Sequence, residues 1–108
     1  MVADAVALSI RQYLAAVRTA GIHAQRAVLF GSHARGTAGP WSDIDLVIIA
    51  PELDAADTRG LTDKLWELRA VTDARIEPIP CGEREWLADG GRPILELARR
   101  EGLVFEVN

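Results

Sequence analysis

The chain has 108 residues, 49% of them hydrophobic and 26% charged, with 12 Lys and Arg against 16 Asp and Glu for a formal net charge of −4. That length and apolar content suit one compact domain over residues 1–108, and they exclude a disordered or low-complexity chain. The acidic balance, with no run of Lys or Arg, argues against a protein that grips a nucleic-acid backbone along its length, so a nucleic-acid partner is not expected.

The single Cys81 rules out an intrachain disulfide and fits a reducing cytoplasm. Met1 to Ile10 carry Asp4 and no basic residue ahead of the apolar positions, unlike a signal peptide, and no apolar run approaches a membrane span. A cytoplasmic chain without membrane contact is expected.

Along the chain, Val6, Ala7, Ile10, Leu14 and Val17 recur at the spacing of one helix face, predicting a helix from Ala3 to about Ala20 that Gly21 caps. Ala27 to Phe30 is a short apolar run closed by Gly31, which reads as a strand buried on both faces. Residues 31–42 hold three glycines and a proline, so they form a loop, with room for one helical turn after Ser32. Ile44 to Ile49 is a second buried strand.

Asp57 or Thr58 then caps a helix that carries Leu61, Leu65, Leu68 and Val71 on one face and ends by Asp73. Arg75 to Pro80 reads as a third strand, placed on an edge because Pro78 and Pro80 donate no ladder hydrogen bond. A short helix over Glu83 to Leu87 follows. Pro93 opens another that runs through Arg99 or Arg100 to Gly102, and Leu103 to Val107 makes a last strand. This order gives an α/β (α+β) fold, a small mixed sheet flanked by helices.

The chemistry concentrates at Ser42, Asp43, Ile44, Asp45 and Leu46. Alternation along a strand puts Asp43 and Asp45 on one face while Ile44 and Leu46 enter the core. Two carboxylates so close repel each other, and only Arg35 in the neighbouring sequence offers a cation. A divalent metal removes the conflict. Mg2+ suits it, since that ion takes one or two carboxylates plus substrate phosphates and needs no His or Cys. Alone, the pair reads equally well as a solvated turn.

Gly31 and Ser32 sit where the first strand ends. A residue without Cβ lets backbone N–H groups approach an anion, the Ser32 hydroxyl adds a donor, and Arg35 offers charge to a phosphate. Taken alone, Gly-Ser here is an ordinary turn. No Lys follows in the Walker arrangement, so neutralisation of a phosphate falls to metal ions. The cradle lacks a lysine and the carboxylate pair lacks a cation, so each supplies what the other needs.

Among the remaining candidates, His33 reads as a solvated turn residue in preference to a phosphate contact, His23 as exposed or structural, Trp41 as packed against its loop in preference to stacking on a base, and Trp66 and Trp86 as core or interface residues. Cys81 reads as an incidental thiol.

Gly31-Ser32, ten residues, then Asp43-Ile44-Asp45 resembles the signature of minimal nucleotidyltransferases in the polymerase-beta superfamily. The motif covers roughly residues 28 to 49. The resemblance implies that Gly31 and Ser32 hold a nucleoside triphosphate, ATP by preference, and that Asp43 and Asp45 bind two Mg2+ ions. It also implies a third carboxylate on a neighbouring strand. Glu77 matches best, as a catalytic residue and metal ligand, although the family more often has Asp; Asp73 and Glu83 are fallbacks. Small members of this family pair with HEPN-domain proteins as antitoxins, some by transferring AMP to the partner. A HEPN-domain partner is therefore expected here, with the acceptor site completed by that partner or by a second copy in a homo-oligomer. A contact-only binding module on the same fold is the alternative.

Overall fold

The computed structural model describes residues 2–88 and 91–106. Its centre is a four-stranded sheet in the order β3-β2-β1-β4, with β1 over Arg26–Phe30, β2 over Ile44–Ala50, β3 over Ile76–Gly82 and β4 over Leu103–Glu106. β1 pairs antiparallel with β2 and with β4, while β2 and β3 run parallel, so the sheet is mixed as expected. A parallel neighbour requires a crossover. It is supplied by a 3-10 turn over Pro51–Asp54, the helix α3 over Arg59–Glu67 and a second 3-10 turn over Leu68–Val71.

The first helix, α1, spans Asp4–Thr19 and buries Val6, Ile10, Tyr13, Leu14 and Val17. Its N-cap, Ala3, forms no side-chain cap hydrogen bond. A missing cap costs about 1 kcal/mol, whereas each buried side chain contributes roughly 1.5–3 kcal/mol, so packing decides that this helix forms. At its end Gly21 adopts φ +93°, and the Ile22 N–H donates back to the Val17 carbonyl at 3.2 Å. That return bond turns the chain and drops Ile22 into the core.

α1 and α3 cover one face of the sheet, where Ala27, Leu29, Ile44, Leu46, Ile48 and Ile76 join Leu65. Tyr13 lies fully buried there, and its hydroxyl donates to the Leu65 carbonyl at 2.6 Å. The opposite face, with Val28, Phe30, Val47, Ile49 and Cys81, packs under α4 (Glu83–Leu87) and α5 (Pro93–Glu101) through Trp86, Leu95 and Ala98. Burial there pushes the Cys81 thiol up to about 11, so it stays protonated and inert at neutral pH. Trp86 packs at this second core and Trp66 stacks under Arg69, so neither tryptophan is free.

One expectation needs correction. Val71 was placed on the buried face, yet it is 77% exposed. The helix ends at Glu67 and tightens into a 3-10 turn, whose three residues per turn rotate Val71 out of the stripe that a 3.6-residue repeat extrapolates. Thr58 holds the N-cap position of α3, but it is the Asp57 carboxylate that accepts the Arg59 N–H, at 3.1 Å. The final strand is described over Leu103–Glu106, and Val107 lies outside the described residues.

Asp73 fixes the entry to β3. Its carboxylate takes Nε and Nη2 of Arg75 at 3.1 and 2.8 Å and the Arg75 N–H at 3.0 Å. The Arg75 guanidinium holds the Asp73 carboxyl well below the usual carboxylate range. With the folded-state value depressed, its stabilisation is present above the unfolded value, near pH 4, and is lost as pH falls below it. Asp73→Asn is expected to cost on the order of 1 kcal/mol near neutral pH and to flatten the acid side of the urea-midpoint curve between about pH 4 and 2. An unchanged curve would show that the ion pair contributes nothing.

Candidate active site

β1 ends, and β2 and β3 begin, at the same edge of the sheet. Phe30 lies opposite Asp45, and Asp45 beside Glu77 in the parallel register. Side chains at paired positions share a face, so the Asp45 and Glu77 carboxylates stand together on the α5 side of the sheet, at the end that α5 leaves open.

Gly31 joins β1 to α2, a single helical turn over Ser32–Arg35. Its φ of +77° with ψ of −153° is backbone essentially reserved for glycine. A Cβ there would overlap Asp45 Oδ2 and lie 3.3 Å from Asp45 Cγ. Glycine thus permits both the turn and the approach of the carboxylate to the backbone. The Gly31 carbonyl accepts the N–H groups of Ala34 and Arg35, both at 3.1 Å, which winds the turn. Gly36, left-handed at φ +77° and ψ 19°, ends it. The half-buried Ser32 hydroxyl has no hydrogen-bond partner among the described residues and remains available to a ligand.

The rest of the loop is pinned by three contacts. Ser42 N–H donates to the Gly39 carbonyl at 3.2 Å, Gly39 N–H donates to Ser42 Oγ at 2.9 Å, and His33 Nε2 lies 3.3 Å from the Ser42 carbonyl. His33 therefore serves the loop. This β-turn carries Pro40 and Trp41 at its tip, leaving Trp41 90% exposed. The expected packing of Trp41 against the loop does not occur, because a two-residue turn tip has nothing beneath it. His23 is exposed as expected and pairs with Glu52.

Asp43, exposed just before β2, acts on both neighbouring acids. Partial burial, and then the charge of Asp43, pushes the Asp45 carboxyl up, with His33 and Arg35 opposing. The Glu77 carboxyl is pushed up by burial and by the charges of Asp43 and Asp45, with Arg69 opposing. None of the three carboxylates has an ion-pair partner among the described residues. The sequence candidates Asp43, Asp45 and Glu77 are thus brought together, unneutralised, beside Gly31 and Ser32.

Among the described residues no group of three or more His, Cys, Asp or Glu is arranged to hold a metal ion by itself. An open set of hard oxygen donors with uncompensated charge is nonetheless what Mg2+ takes when substrate phosphates complete its shell. The chemistry of this donor set fits that ion.

The fallback acids sit elsewhere. Asp73 is committed to Arg75. Glu83 follows the far end of β3, so a seven-residue strand, roughly 20 Å long, separates it from the site.

Arg35 already has an anionic partner. Its guanidinium pairs with Glu101 at 3.0 Å, and the same oxygen, Oε1, accepts the Gly31 N–H at 3.1 Å. Sequence reading missed Glu101 because the contacts span 66 and 70 residues. One signal was present: an acid in the last turn of a helix opposes the helix dipole, so it needs a partner from outside the helix.

A family model described as nucleotidyltransferase domain matches residues 10–83, more than half of the chain. The chain belongs to this nucleotidyltransferase family. The match takes in Gly31, Ser32, Asp43, Asp45 and Glu77, and leaves α5 and β4 beyond its end. No curated protein matches the chain.

Proposed function

We propose that the chain is a Mg2+-dependent nucleotidyltransferase that moves a nucleoside monophosphate, AMP from ATP, onto a hydroxyl of a partner protein, and that it serves as the antitoxin of a pair with a HEPN-domain toxin. The observation that carries the transferase reading is the meeting of Asp43, Asp45 and Glu77 beside the glycine-only turn at Gly31. Asp43, Asp45 and Glu77 would hold two Mg2+ ions, which supply charge to the triphosphate and lower the pKa of the attacking hydroxyl. Gly31 N–H, the Ser32 hydroxyl and Arg35 would receive the outer phosphates.

In the transfer, the acceptor oxygen bonds to the α-phosphorus while the bond to the bridging oxygen of the β-phosphate breaks, and pyrophosphate leaves with those electrons. Glu77, set beside Asp45 by the parallel register, is placed to accept the hydroxyl proton. The exposed Trp41 beside the carboxylates suits contact with a partner.

The test is incubation with a HEPN-domain partner, Mg2+ and ATP labelled at the α- or the γ-phosphorus. Transfer of the α-label alone to the partner supports the reading. Stable partner binding with no transfer of either label would instead favour the contact-only module.

A further inference from the structure

Gly31 N–H and the Arg35 guanidinium, the groups suited to an outer phosphate, already share an anion. Glu101 Oε1 accepts from both, at 3.1 and 3.0 Å, with the Glu101 side chain only 22% exposed. The carboxylate is brought there by tight backbone packing. Gly102 N–H donates to the Ala98 carbonyl at 2.8 Å, and a Cβ on Gly102 would overlap Ala98 O and Val28 Cγ1 and lie 3.2 Å from the Leu29 carbonyl. Glycine at 102 thus lets the end of α5 meet the β1 backbone directly, which leaves Glu101 little choice of position. A last-turn acid opposes the helix dipole, which the two donors offset.

We propose that Glu101 is a resident stand-in for the outermost phosphate and weakens the binding of ligands whose phosphate chain reaches Gly31 and Arg35. The idea rests on the nucleotide reading of the site. A triphosphate that spans from the carboxylates to Gly31 and Arg35 has to displace Glu101, whereas a monophosphate held at the carboxylates does not reach it. Glu101 lies on α5, beyond the segment that matches the family.

Glu101→Gln keeps an acceptor oxygen for both donors and removes the competing charge. Calorimetry compares wild type and this variant with inorganic tripolyphosphate, MgATP and AMP. The variant is expected to bind tripolyphosphate and ATP about three- to fivefold more tightly, the size of a partly exposed ion pair, with AMP unchanged. In wild type the Gly31 amide resonance should also move as tripolyphosphate replaces the carboxylate. Equal or weaker binding of tripolyphosphate by the variant, or no binding to either chain, overturns the proposal. If tripolyphosphate discriminates between the two chains while ATP binds neither, the nucleotide reading fails and the role of Glu101 stands.

Discussion

Gly31→Ala is expected to lower stability by about 2–5 kcal/mol and to remove nucleotide binding. Two costs combine. Backbone at φ +77° and ψ −153° costs a residue with a side chain about 1–3 kcal/mol, and the new methyl group would also overlap Asp45 Oδ2. Relief requires either the turn or the carboxylate to move, and both belong to the site. Gly36→Ala is the control. Gly36 is left-handed too, at φ +77° and ψ 19°, but a Cβ there meets open space, so the substitution should cost about 1–2 kcal/mol and leave the carboxylates in place. Urea unfolding of the two variants gives the comparison. Equal losses would mean that the contact between Gly31 and Asp45 carries no special energy.

Asp45→Asn is expected to separate function from stability. Asp45 is partly buried between Asp43 and Glu77 with no ion-pair partner among the described residues, so its charge opposes folding at neutral pH. The neutral amide should raise stability by about 0.5–1 kcal/mol while nucleotidyl transfer falls on the order of a thousandfold, as a metal-binding oxygen is lost. Thermal unfolding and the transfer assay on the same preparation decide it. A variant that loses stability along with activity would show that Asp45 is a structural acid, held by contacts that its charge does not strain.

Local patterns were the legible part of this molecule. Alternation in Ile44, Asp45 and Leu46 correctly assigned each side chain to its face, and Pro78 and Pro80 correctly put β3 on an edge. The spacing from Gly31 to Asp45 spans two adjacent strands and their connection, so chain order carries the geometry. Glu77 joins the site because β3 runs parallel to β2 in a register that sets it beside Asp45, a pairing that no local pattern encodes. Where the reading failed, a change of helix type or a turn tip with nothing beneath it had decided the outcome. Val71 left its stripe when α3 tightened to a 3-10 turn. Trp41 found no surface to pack against.

The central claim is that Asp43 and Asp45 with Gly31 and Ser32 form a metal-dependent nucleotide site. The most direct measurement is calorimetric titration of ATP with Mg2+ into wild type and into Asp43→Ala/Asp45→Ala, repeated with EDTA. Binding that requires the metal and vanishes in the double variant is the predicted result. ATP binding that persists in the variant or in EDTA, or a folded wild type that binds no ATP with Mg2+ present, would contradict it.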